Sequence, residues 1–217
     1  KDVHKAAQTV QNAQQASKEL YKYYFIYDVR IDTFEVADEL HKYIETVKKA
    51  SGHSKVKILA RCFGTNVLSA YLVRYGWNDI EDVLLYNPIM YGTDKLDCIF
   101  TGEIKVTRDS IDYIANNMVI DSETDATVQK IAQILNESGS FDSTGDTASF
   151  VANYCASDIL RETYATCPGY WSMLSADAYE KAKEYIFEYY EDEYSKIIEK
   201  ADYYHENVRL KLDEIYA

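Results

Sequence analysis

"KVKILARCFGTNVLSAYLVRYG", Lys55 to Gly76, decides how this chain is built. Val56 to Ala60, interrupted only by Lys57, has the length of a strand and begins like a buried one. Arg61-Cys62-Phe63-Gly64 turns the chain. Val67, Leu68, Tyr71 and Leu72 then recur at helical spacing, and Gly76 supplies the stop expected of a left-handed cap. Cys62 stands at the apex of the turn. Two readings of it are open: a nucleophile presented for attack, or a small residue where a strand meets a helix.

Upstream lies "YKYYFIYDVR" (Tyr21–Arg30), in which Tyr23 to Tyr27 form a continuous aromatic and branched run closed by Asp28. A strand is expected there, covered on both faces as in a parallel sheet. Thr33 is the expected cap of the next helix, whose inner face is Phe34, Ala37, Leu40, Ile44 and Val47, and Ser51-Gly52-His53-Ser54 breaks it. Downstream, "DVLLY" (Asp82–Tyr86) reads as a further strand, stopped by Asn87-Pro88. Strands near 23–28, 56–60 and 82–86 with helices between them are the pattern of a parallel α/β sheet with right-handed crossovers.

From Tyr91 onward the pattern changes and no strand is evident. Helices are expected over Ser110–Val119, Asp125–Asn136, Asp146–Ala165, Ala176–Tyr190 and Glu193–Tyr216, with a turn at Cys167–Trp171. Residues 2–20 read as an amphipathic helix. The chain thus divides into a partial α/β core over 1–91 and a large, mainly helical cap or insertion over 92–217.

The net charge of −13 argues against a nucleic-acid partner and against an anionic membrane surface, both of which call for a basic face. No stretch approaches the length of a membrane span. The 21 tyrosines suit half-exposed grooves and packed helix faces, or reflect a compositional habit. Cys62, Cys98, Cys155 and Cys167 form no C-x-x-C pair, so no metal is expected, and a disulfide among the last three would require export. No signal peptide is visible, and neither a secreted nor a cytoplasmic location is favoured. "EYYEDEY" (Glu188–Tyr194) lacks the alternation of a calcium loop. With no Gly-rich phosphate loop and no dinucleotide fingerprint, no cofactor is expected.

Ala60-Arg61-Cys62-Phe63-Gly64 has the form of a nucleophile elbow, usually G-x-S-x-G. Small residues two before and two after the apex let strand and helix approach, and the helix N-terminus aims amide N–H groups at the reacting atom. On these residues the chain resembles the α/β-hydrolase superfamily, in its lipase and lecithin:cholesterol acyltransferase-like branch. "FIYDVR" (Phe25–Arg30) is similar to the Y-D-W-R that follows a core strand there, and "YNPIMYG" (Tyr86–Gly92) to the strand after the elbow. "CPGYWSML" (Cys167–Leu174) looks like a cap segment. Two residues depart: cysteine replaces serine, as in dienelactone hydrolases, and Ala60 replaces the first glycine.

The resemblance implies an acyl hydrolase or acyltransferase acting on a small-molecule ester or thioester, with Cys62 as nucleophile and the Phe63 backbone N–H as oxyanion donor. Tyr170, Trp171, Met173 and Leu174 either shape an acyl pocket or simply pack the cap, and Arg61 either meets a substrate carboxylate or is solvated. The alternative to the enzyme is a hydrolase-like binding or structural module without catalysis. The family's acid and histidine follow the nucleophile on loops after later strands. Here only His205 follows Cys62, in a stretch that reads as helix, and Asp28 is better placed to pair with Arg30 than to act in catalysis. The family also places a strand between "YYFIYD" and the elbow strand. The expectation is therefore that residues 1–217 are an internal part of a hydrolase, with a complementary chain supplying the missing strands, the acid and the histidine.

Overall fold

The computed structural model describes residues 22–105, 107, 146, 149, 153 and 156–217. Helix α1 (Thr33–Ser51) is capped by Asp32 rather than by Thr33. The Asp32 carboxylate accepts from the Phe34 and Glu35 amides at 2.8 and 3.1 Å, satisfying two donors that a helix start leaves open. Thr33 lies one residue inside, buried, where its hydroxyl has no such amide to reach. Gly52, at φ +75°, closes the helix by donating its N–H to the Lys48 carbonyl at 2.9 Å.

Strand β1 (Val56–Arg61), helix α2 (Gly64–Tyr75) and strand β2 (Ile80–Tyr86) follow as expected. The strands are parallel, with Ile58 opposite Val83, Ala60 opposite Leu85 and Arg61 opposite Tyr86. Helices α1 and α2 cover one face of this pair: Phe34, Ala37 and Ile44 meet Leu68, Tyr71 and Leu72 over Ala60 and Ile80.

The segment expected as a strand near 23–28 has no regular secondary structure and pairs with neither β1 nor β2, and among the described residues the sheet has two strands. Its side chains alternate. Phe25 and Tyr27 pack toward Phe63 and Val67, while Tyr24 and Ile26 are each 59 % exposed. A strand is defined by its hydrogen-bonded neighbour, and among the described residues none stands beside this segment. The sheet shows the same open side: Leu59 and Leu84, pointing away from α1 and α2, are 63 % and 60 % exposed.

Helices α3 (Asp94–Phe100), α4 (Pro168–Trp171), α5 (Ala176–Phe187), α6 (Glu191–Asn207) and α7 (Leu212–Ile215) complete the described elements, with a 3-10 turn at Arg209–Lys211 before α7. They build a second core around Trp171, Phe100, Leu174, Ile186 and Phe187. The single helix expected over Glu193–Tyr216 breaks at Val208. Tyr204, Val208 and Leu212, spaced four apart, are buried against α1 and α2, so the end of the chain returns to the α/β core. The helices expected over Ser110–Val119, Asp125–Asn136 and residues 2–20 lie outside the described residues; of the helix expected over Asp146–Ala165, the described residues 146, 149, 153 and 156–162 are helical and 163–165 form a turn.

Gly169 in α4 joins the two cores. A Cβ there would stand 2.7 Å from the Ile31 carbonyl oxygen and closer still to that of Val29, and the Gly169 N–H points at the Arg30 carbonyl at 3.4 Å. Gly52 has open space around its Cβ position. Gly169→Ala is expected to cost more than about 2 kcal/mol by overpacking against backbone, and Gly52→Ala only about 1 kcal/mol, through its positive φ alone. Urea unfolding midpoints of the two variants check the order.

Candidate active site

Cys62 leaves β1 in the left-handed region, at φ +50°, a conformation unfavourable for any residue with a Cβ. Its surroundings hold it there. The Cys62 N–H donates to the Tyr86 carbonyl at 3.1 Å, extending the β1–β2 ladder by one residue. The Cys62 carbonyl accepts from the Thr65 amide at 3.0 Å and from the Thr65 hydroxyl at 2.7 Å. Thr65 Oγ1 in turn accepts from the Ile89 amide at 3.2 Å, which fixes the segment after β2 against the same turn. The Cys62 side chain is exposed as a result.

The next two backbone N–H groups, of Phe63 and Gly64, begin α2 and donate to no acceptor among the described residues. Both are orphan donors of a helix N-terminus. Phe63 itself is buried, its ring 6.0 Å from that of Tyr27. Tyr27 closes the other side of the turn, its hydroxyl 3.5 Å from where a Cβ on Gly64 would sit. Burial, reinforced by the charge of the Cys62 sulfur, pushes the Tyr27 phenol up to about 12. Arg61 points outward over the Tyr86 ring, 5.6 Å from its centroid, a stacking contact at the sheet edge.

The other expected site residues are distributed differently. Trp171 is fully buried, with its indole N–H donating to the Ala165 carbonyl at 3.0 Å and its ring between Phe100 and Phe187. No substrate reaches it, and of the two readings of this side chain packing is the one the structure shows. Tyr170 is half-buried and meets the edge of Tyr164 at 5.3 Å. Leu174 belongs to the same second core, whereas Met173 reaches the Phe63–Val67 cluster beside the elbow. Asp28 pairs with Arg30, Oδ2 to Nη2 at 2.5 Å and Oδ1 to Nε at 2.9 Å. The Arg30 guanidinium bonds pull the Asp28 carboxyl down to about 2.

His205 is a core residue. Its Nε2 donates to the Trp171 carbonyl at 3.0 Å, and its ring stacks on Tyr179 with centroids 3.7 Å apart. Burial lowers its pKa to about 4, so it is neutral near pH 7. His41 stacks on Tyr75 at 4.0 Å, and His53 precedes β1, at the end of that strand opposite Cys62. Among the described residues no imidazole stands beside the cysteine, and no group of His, Cys, Asp or Glu side chains is arranged to hold a metal ion. No described helix is long and apolar enough to cross a membrane. Cys62, Cys98 and Cys167 are free thiols, and Cys155 lies outside the described residues.

Periodicity does not single out Thr65, Asn66 and Ser172. Asn66 Nδ2 donates to the Ser172 carbonyl at 2.6 Å, and Arg209 Nη2 donates to the same oxygen at 2.5 Å. These bonds tie the first turn of α2 to the turn after α4 and to the end of the chain. The available signal was three polar residues, Thr65, Asn66 and Ser69, within the buried run Thr65–Leu72 of a mainly apolar helix. A cleft of 1110 Å³ between α1, α5 and α6, lined by Glu35, Lys183, Glu191 and Tyr203, contains neither Cys62 nor Phe63. A groove of 590 Å³ runs between α1 and the segment 23–28.

No protein-family model matches the chain, nor does any curated protein or solved structure.

The buried His205 makes stability depend on pH. The unfolded chain takes up a proton near pH 6.5 and the folded one only near 4. Stability is therefore complete above pH 6.5, falls as pH drops toward 4, and stays lost below. The loss is on the order of 3 kcal/mol. His205→Gln, which keeps a donor for the Trp171 carbonyl, is expected to flatten that slope in urea unfolding measured from pH 7 to 4.

Proposed function

We propose that the protein catalyses acyl transfer through Cys62, as a hydrolase or acyltransferase acting on an ester or thioester. The observation that carries the reading is the exposed Cys62 at φ +50°, between a parallel strand and a helix whose first amides are free. This geometry supports the reading because it resembles the nucleophile and oxyanion donor of the α/β-hydrolases: Cys62 would attack the acyl carbon and the Phe63 N–H would receive the oxyanion. Arg61 and Tyr170 lie at exposed or half-buried positions where a substrate can meet them.

In this reading the histidine and acid come from polypeptide other than the described residues. Two observations support a complementary segment. Among the described residues, segment 23–28 has a strand's alternation without a sheet neighbour, and Leu59, Leu84 and Tyr86 leave one sheet face apolar and open. The second reading, an inactive hydrolase-like module that binds a protein partner, is favoured by His205, the one histidine after Cys62, being locked in the core.

Exposure alone speeds any reaction of a thiol, so the test compares two chemistries at each cysteine. The intact protein is treated with a 4-nitrophenyl ester and, separately, with iodoacetamide, and peptides carrying Cys62, Cys98 and Cys167 are quantified. The acylation-to-alkylation ratio at Cys62 is expected to exceed that at Cys98 by at least about tenfold, because only an oxyanion site favours the acyl reaction. Equal ratios at the two cysteines support the inactive module.

A further inference from the structure

In the proposed reading the Phe63 amide is one oxyanion donor, and in the α/β-hydrolases the second comes from a different loop. A second donor is present within the described residues. The Tyr27 ring packs between Phe25 and Phe63, 5.4 and 6.0 Å away by ring centroids, so its direction is set by two aromatic neighbours. Its hydroxyl reaches the first turn of α2, 3.5 Å from the Cβ position of Gly64. Gly64 has no side chain at that point, and the Phe63 and Gly64 amides of the same turn have no acceptor among the described residues. The hydroxyl has no hydrogen-bond partner among the described residues, although the ring is largely buried. The hydroxyl is open to solvent, so its donor is free to meet a ligand, and it stands at a helix start with two further free donors.

Resting on the reading of Cys62 as an acyl nucleophile, we propose that the Tyr27 hydroxyl is an oxyanion donor, paired across the turn with the Phe63 N–H. With its pKa raised to about 12, the phenol keeps its proton throughout the range in which a thiolate reacts. In the step, the Cys62 thiol first loses its proton to solvent. The thiolate forms a C–S bond to the acyl carbon, and the carbonyl π pair moves onto oxygen. That oxyanion accepts hydrogen bonds from Tyr27 and Phe63, and no proton leaves Tyr27. The oxyanion collapses, the bond to the leaving oxygen breaks, and an activated alcohol such as 4-nitrophenol departs as its anion. Water, attacking the thioester through the same oxyanion, releases the carboxylic acid and returns the cysteine.

The experiment uses the intact protein with 4-nitrophenyl butyrate, following the first-turnover release of nitrophenolate in wild type, Tyr27→Phe and Cys62→Ala. Iodoacetamide alkylation of Cys62 is measured in parallel, because alkylation builds no charge on a carbonyl oxygen. Tyr27→Phe removes a hydroxyl without a partner, so its unfolding midpoint is expected to match wild type. Its acylation is expected to slow by about a hundredfold, with the alkylation rate within about twofold of wild type. Acylation unchanged in Tyr27→Phe but lost in Cys62→Ala would overturn the role of Tyr27 and leave Cys62 as nucleophile. An equal loss in acylation and alkylation would also overturn it, by showing that the phenol acts on the thiol and not on the carbonyl. Release that persists in Cys62→Ala would overturn the acyl-transfer reading itself.

Discussion

Everything at the site depends on one backbone angle. A cysteine at φ +50° costs on the order of 1–3 kcal/mol and persists only where its neighbours over-determine it. The Tyr86 carbonyl holds the Cys62 amide, while Thr65 holds the carbonyl through both amide and hydroxyl. Reversing the chain in so few residues brings the parallel strand directly into the helix. It also leaves the Cys62 side chain exposed and the Phe63 and Gly64 amides without an acceptor among the described residues.

The surrounding packing fixes the helix that this turn begins. Asn66 and Arg209 both donate to the Ser172 carbonyl, and His205 donates to that of Trp171. One short turn after α4 is thereby bonded to α2 and to the C-terminal residues. Buried polar groups of this kind are costly unless paired, and paired they select a single arrangement. Tyr204, Val208 and Leu212 close the same junction with apolar contacts against α1 and α2. The second, helical core and the α/β core are therefore joined at α2, and Met173 carries that junction to Phe63.

Much of the fold was legible in the sequence, because β1, α2 and β2 are local and strongly periodic. Val56–Ala60, interrupted only by Lys57, and Val83–Tyr86 are mainly apolar stretches of strand length, and Leu68, Tyr71 and Leu72 mark a helix face without tertiary information. Readings that depended on distant partners fared differently. Segment 23–28 has a strand's composition, but pairing is a property of two segments, and composition reports on one. The cap of α1 went to Asp32 because the side chain must stand outside the first turn, a distinction of a single residue. The aromatic run at Tyr170-Trp171 gave no sign of which ring faces a pocket. Burial of Trp171 follows from α3 and α5, far away in sequence. The elbow was legible as a turn with a cysteine at its apex. Tyr27, which the fold brings to that turn, was visible only as part of "FIYDVR".

The central claim is that the turn stores strain in order to present Cys62, and substitution by glycine and alanine tests it directly. Both variants lose the sulfur, but only alanine keeps a Cβ in the left-handed region. Unfolding free energies of Cys62→Gly and Cys62→Ala, measured in urea on the intact protein, should differ by about 1 kcal/mol in favour of glycine. The glycine variant is expected to be at least as stable as wild type. A glycine variant less stable than the alanine variant would mean that residue 62 carries no left-handed strain, and the account of the elbow would fail with it.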